Sequence, residues 1–322
     1  MAGGFGYGKT ILFGEHFVGY GLPSIASAID AKTVVTAATG VEFRIEDERP
    51  QTPGYKDEKR AQMEEAVRLV FAAVGVDPVE ERVAIRAGGD LVATSGIGAS
   101  GAFCVALARA LCALYEIGCS DERVNELGYE GEKGFHGNPS GVDNAVSTYG
   151  GVIRYVKAVP PIITRLEMRR PIEAVLCNTG LTTDTAKAVA LFRAKRDNEP
   201  RQYERLFSEY ARLEEDAEKA LGGSDYGALG ALMDQNHALL RSAGMSCEAL
   251  DRLVKAAKTG GALGAKLTGS GLGGLGLALT PGRELQQRVA AAVEEAGFTA
   301  MRTLIGSTST GEHNGSAKGG FQ

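Results

Sequence analysis

Lys9, Ser100, Glu132 and Asp143 are the residues whose types and surroundings suit group-transfer chemistry. Lys9 opens the run Lys9-Thr10-Ile11-Leu12-Phe13, which ends in Gly14-Glu15-His16. A lysine entering a strand needs a carboxylate or phosphate partner, or else stands solvated at the strand start. Ser100 closes Ser95-Gly96-Ile97-Gly98-Ala99-Ser100, a loop that leads into a strongly apolar helix. Glycines let such a loop wrap an anion, and the helix N-terminus adds unpaired N–H donors and the positive end of its dipole. A tight turn with Ser100 as N-cap is the other reading. The loop lacks the lysine of a Walker sequence and is not a convincing dinucleotide fingerprint. Glu132 follows a helical segment, and Asp143 lies just past a Gly/Pro loop. Phosphoryl transfer needs a hard-oxygen metal ligand and a carboxylate near the attacking hydroxyl. Helix-cap and loop carboxylates are also ordinary structural features. A third glycine run, Lys266-Leu267-Thr268-Gly269-Ser270-Gly271-Leu272-Gly273-Gly274, again sets glycines and hydroxyls after a strand, and by itself reads as a loose hairpin loop.

The elements that must position these groups follow from periodicity and breakers. Strands are predicted at 9–12, 42–48, 82–86, 151–156, 162–166, 173–178, 262–267, 274–280 and 299–304. Helices are predicted at 59–74, 100–115, 120–133 (Ser120 as N-cap), 142–147 and 283–296, the last with Thr280 as N-cap and Pro281 at the first helical position. From 185 to 258 nearly everything reads as helix, broken at 222–225 and 244–246. The tail from Gly306 is polar, glycine-rich and expected to fray. The pattern is α+β in two halves, residues 1–168 and 169–322.

Composition narrows the classes. The chain has 322 residues and a net charge of −5, so no general affinity for nucleic acid is expected. No apolar run is long enough for a membrane span and no secretory signal is visible, so the cytoplasm is the default. The five cysteines form no CxxC pair and read as free thiols, with no structural disulfide and no catalytic thiol expected. The 44 glycines are about twice the usual ~7% share and fall in clusters, which mark sharp turns or close backbone approach.

The order lysine strand, G-x-G-x-S loop, Glu…Asp and late glycine loop resembles the GHMP kinase superfamily from about Tyr7 to Arg302. Within it, His136-Gly137-Asn138-Pro139-Ser140-Gly141-Val142-Asp143-Asn144 is similar to the mevalonate kinase family. The Gly6-Tyr7-Gly8-Lys9 opening and the Gly96–Ser100 loop are most like its trypanosomatid branch. Tyr7 in place of proline, Ala99-Ser100 in place of two serines and a third motif poorer in glycine are departures.

The resemblance implies a two-domain fold with the active site in the cleft between domains. It also implies transfer of the ATP γ-phosphoryl to the 5-hydroxyl of mevalonate. Gly96, Ile97, Gly98, Ala99 and Ser100 would cradle phosphates, and Ser100 and Glu132 would hold Mg²⁺. Asp143 would orient or accept the hydroxyl proton, with Lys9 offsetting charge. Glu15, His16, Thr185, Thr268 and Gly269 would face the substrate. A homodimer is compatible with it. A sugar or homoserine kinase of the same superfamily, or an inactive sensor with this fold, remain as alternatives at this stage.

Overall fold

The computed structural model describes residues 1–182 and 184–308. Its chain divides into two compact units, residues 1–9 with 28–150, and residues 10–27 with 151–308. The division of the sequence at residue 168 places 10–27 and 151–168 in the first half instead. Strands β1 (Ala2–Phe13) and β2 (Ser24–Thr39) pair with each other, and each contributes residues to both units.

In the first unit, β3 (Arg44–Asp47) pairs in parallel with β4 (Val83–Gly89), which pairs antiparallel with β2 from Thr33 to Thr39. Four helices accompany these strands: α1 (Tyr55–Val74), α2 (Ala99–Leu114), α3 (Asp121–His136) and α4 (Val142–Tyr149). Helix α2 is buried on almost every side, as its continuous apolar sequence demands. Ser120 caps α3 by accepting from the Arg123 N–H, as predicted.

Most clustered glycines in this unit serve close packing. A Cβ at Gly4 would lie 2.3 Å from the Ala106 carbonyl oxygen, and one at Gly6 would lie 2.2 Å from that of Ala102, so β1 rests directly on the α2 backbone. Along α3, a Cβ at Gly128 would meet Val105, at Gly131 Val70 and Cys104, and at Gly134 the Ala66 backbone. Three glycines at i, i+3 and i+6 share one helix face, which draws α3 against α1 and α2.

In the second unit, β5 (Val152–Val156) joins β6 (Ile162–Leu166) in an antiparallel pair. Strand β7 (Ile172–Asn178) lies between β9 (Leu275–Leu279) and β10 (Thr299–Ile305), with β8 (Gly264–Thr268) beyond β9, all antiparallel. Helices α5 (Thr185–Asn198), α6 (Pro200–Gly223), α7 (Tyr226–Ser242), α8 (Glu248–Thr259) and α9 (Arg283–Glu295) complete it. Val175 and Cys177 of β7, Leu253 of α8 and Val289 of α9 meet in one apolar core.

Several expectations change. Strand β2, sixteen residues long, is absent from the sequence reading, because its alanines, serines and threonines carry little alternating hydrophobicity. The helical stretch from 185 also breaks at Glu199, ahead of Pro200. Gly282, not Thr280, precedes α9; the Thr280 hydroxyl is buried on the Glu173 carbonyl, 3.1 Å away. Cys112 and Cys119 form a disulfide, against the expectation of free thiols. The chain reverses between α2 and α3 and brings their Cα atoms to 6.1 Å, a proximity that spacing alone does not reveal. Cys104 and Cys177 are free and buried, and burial pushes both thiols up, Cys177 to about 12. The predicted fraying beyond Thr308 lies outside the described residues. Among the described residues no helix is long and apolar enough to cross a membrane.

Because backbone atoms oppose Gly6, no side-chain rotation can make room there. Gly6→Ala is expected to lower unfolding free energy by about 1–3 kcal/mol, the usual range for overpacking. Urea denaturation would show it as a lower midpoint with an unchanged slope; an unchanged midpoint would refute the packing role.

Candidate active site

The first unit gathers Lys9, the Gly96–Ser100 loop, Glu132 and Asp143. Lys9 is 4% exposed, and its backbone N–H donates to the Ile97 carbonyl at 2.8 Å. The glycine loop therefore lies along the lysine strand. Gly98 has φ +70°, and a Cβ there would lie 2.6 Å from Lys9 Cγ, so both backbone conformation and the lysine stem require glycine. The Lys9 ammonium reaches Asp143 Oδ1 at 3.1 Å. Asp143 stands in the first turn of α4, whose backbone approaches α2 at Gly101. The buried lysine thus has a carboxylate partner, which settles the solvated-strand reading against itself.

Helix α2 begins at Ala99 with no side-chain cap, so its first N–H groups are open to an anion. Ser100 Oγ lies 3.3 Å from His136 Nε2 and also hydrogen-bonds Glu132. Glu132 is 1% exposed, and its Oε1 has no hydrogen-bond partner among the described residues. Beside Ser100 lies a shallow open cleft walled in part by Arg49, Tyr55, Lys56, Lys59 and Phe135. None of these lining residues stands out in the sequence. Their basic side chains sit in a Pro/Gly loop and at a helix start that read as an ordinary solvated surface.

The second unit holds a separate set. The Thr268 hydroxyl accepts from the Ile11 N–H at 3.2 Å and donates to the Ile11 carbonyl at 3.0 Å. Glu15 is 1% exposed, with its carboxylate on the fully buried Lys266 ammonium. His16 donates Nε2–H to the Ser270 carbonyl at 2.9 Å, and its ring stacks on Phe192 at 4.9 Å. Burial lowers the His16 pKa, so the ring is neutral near pH 7. Gly269 has φ +85° and open space where a Cβ would stand. Thr185 is exposed at the first turn of α5 and is not drawn into this set. Lys266 carries no role in the sequence reading, although a lone lysine inside an apolar strand is the same signal that marked Lys9.

Burial pushes the Glu132 carboxyl from 4.5 up to about 8; the Asp143 charge adds to the rise, and Ser100 and Lys9 oppose it. Between those pH values the unfolded chain has released a proton that the folded chain retains. Stability of the ligand-free protein must then fall as pH rises through that window. A melting-temperature series from pH 5 to pH 8 should show the fall, and Glu132→Gln should flatten it by a few degrees. Parallel curves for the two proteins would contradict a buried protonated Glu132.

Residues 62–151 match the family model "GHMP kinases N terminal domain", and residues 214–298 match "GHMP kinases C terminal". The chain is 35% identical to a mevalonate kinase of Pyrococcus abyssi over 318 residues, covering 92% of this chain and 93% of that one. A mevalonate kinase of Mus musculus is 32% identical over 70% of this chain and 62% of its own. Among solved structures, L. major mevalonate kinase in complex with R-mevalonate superposes with a TM-score of 0.89 at 35% identity, covering 96% of this chain and 97% of that one. Lactococcus lactis galactokinase, at 18% identity and a TM-score of 0.69, shares the fold. With both halves of the family model matched and relatives aligned over nearly its whole length, the chain belongs to the mevalonate kinase family of the GHMP kinases, ATP-dependent kinases that act on alcohols.

Proposed function

We propose that this protein transfers the γ-phosphoryl group of ATP to the primary 5-hydroxyl of (R)-mevalonate, giving 5-phosphomevalonate and ADP. The observation that carries the chemistry is the Lys9–Asp143 pair, held by Gly98 and Gly101 next to the open N-terminus of α2. The nucleotide phosphates lie along Gly96–Ser100, where the α2 N–H groups receive their negative charge. The adjoining cleft, with Arg49, Lys56 and Lys59 in its wall, adds positive charge beside that loop. Asp143 accepts a hydrogen bond from the acceptor hydroxyl and takes its proton late in the transfer. The new bond joins the hydroxyl oxygen to the γ-phosphorus as the bond to ADP breaks. The Lys9 ammonium offsets charge on the transferring oxygens.

Mg²⁺ belongs to the same reading. The donor set suits it: a hydroxyl on Ser100 and a buried carboxylate on Glu132 whose Oε1 lacks a hydrogen-bond partner. Bound there, the ion would neutralise phosphate oxygens, and Glu132 must first give up its proton. His16 and Gly269 face the acceptor, with Thr268 supporting that side. Nucleotide and catalytic groups fall in residues 1–168, and the third glycine loop falls in 169–322. Action in the cytoplasm as a homodimer completes the proposal.

ADP release in a coupled assay should be fast with mevalonate and near background with galactose, homoserine or phosphomevalonate; a preference for one of those three would replace the substrate assigned here. Asp143→Asn should fold, bind ATP and lose about 10²–10⁴-fold in single-turnover rate. A lower melting temperature with nearly normal turnover per folded molecule would instead make Asp143 a loop fastener. Glu132→Gln should leave the fold intact and demand much more Mg²⁺ for turnover; near-normal activity at low Mg²⁺ would remove Glu132 from the metal site.

A further inference from the structure

Strand β8 is buried at every position, yet it carries Lys266, which is 0% exposed. An ammonium in such a place is costly to desolvate unless it is paired and hydrogen-bonded. Lys266 Nζ donates to Glu15 and, at 2.8 Å, to the Leu267 carbonyl. Glu15 lies in the turn that follows β1. Gly14 precedes it with φ +115°, and a Cβ there would lie 2.6 Å from Ser24. His16 follows with φ +63°, a conformation that a non-glycine residue holds only when its surroundings over-determine it.

Those surroundings come from the third glycine motif and from α5. The Thr268 hydroxyl bonds the β1 backbone, Lys266 holds Glu15, and the Ser270 carbonyl accepts from His16 Nε2. The Phe192 ring stacks on the His16 ring with an interplanar angle of 6°. The turn and the glycine loop are thus pinned to each other at three successive places within one unit. Of the three, the Lys266–Glu15 contact is the only one that is fully buried and formally charged.

We infer that Lys266 is a positioning residue: by holding the Glu15 carboxylate it fixes the Glu15–His16 turn against the third glycine loop and gives the His16 ring one orientation toward the acceptor. Glu15 then acts through His16 and does not itself touch the substrate. With the ammonium removed, the carboxylate loses its buried cation, the left-handed backbone at His16 loses an anchor, and the ring and loop lose their common register. The inference rests on the assignment of mevalonate as acceptor.

The test compares Glu15→Gln, Lys266→Met and the double variant. Each single change is expected to lower kcat/KM for mevalonate by about 10–100-fold, the scale of a small misplacement at a reacting centre. Affinity for ADP should stay within about twofold, because this set lies outside the phosphate loop. Since both singles break one contact, the double should be no worse than either. The His16 ring N–H resonance should shift in all three. A loss in Glu15→Gln with Lys266→Met within about twofold of the parent would make Glu15 a direct substrate ligand and overturn the inference. So would lower melting temperatures with unchanged kcat/KM per folded molecule. If Lys266→Met does not fold alone, Glu15→Gln against the double decides: equal loss supports the coupling and further loss overturns it. Failure of the parent protein to use mevalonate would sink the substrate assignment alone, because the His16 resonance reports the latch without any substrate.

Discussion

A lysine ammonium enclosed by apolar strands must meet a carboxylate, and this constraint recurs at both ends of the chemistry-bearing sequence. Lys9 in β1 meets Asp143 at the start of α4, and Lys266 in β8 meets Glu15 in the turn after β1. Neither carboxylate lies near its lysine in sequence, so each pair forms only when the surrounding unit folds. Each also fixes a short segment that would otherwise be free to turn: the start of α4 in one case and the Gly14–His16 turn in the other. Because a broken buried pair leaves an uncompensated charge, such contacts specify a geometry more sharply than they raise stability.

Close backbone approach supplies the second condition. Helix α2 can hold its N-terminus beside Lys9 because Gly98 leaves room for the lysine stem and Gly101 lets α4 come near. Gly4 and Gly6 seat β1 on the same helix, while Gly128, Gly131 and Gly134 seat α3, which carries Glu132 at its far end. Tight packing removes water from Glu132 and drives its carboxyl toward the protonated form. Packing and electrostatics are therefore one arrangement: the glycines that bring the helices together also set the charge state of the residue they bury.

In the second unit the same logic makes His16 a neutral ring of defined tautomer. The Ser270 carbonyl can only accept, so Nε2 carries the hydrogen, and burial disfavours the cation. The aromatic stack with Phe192 holds the ring plane. A histidine so constrained presents one acceptor nitrogen, Nδ1, in a fixed direction.

The sequence by itself determined the local chemistry: a lysine opening a strand, a glycine loop before an apolar helix, the run from His136 to Asn144 and a late glycine loop. These were legible because glycine tolerance, helix N-termini and apolar periodicity are properties of a few adjacent residues. The order of the motifs along the chain extended that reading to a family. Tertiary structure decided what depends on residues distant in sequence. Strand β2 was invisible because its alanines, serines and threonines carry little alternating hydrophobicity. The Cys112–Cys119 bond, the cleft beside Ser100 and the burial of Glu132 arise from how helices return on one another. Glu15 read as a residue that faces substrate, since a carboxylate next to a histidine gives no sign of its partner. Only the fold brings Lys266, 251 positions away, onto that carboxylate, because strand pairing and not sequence distance decides which buried charges meet.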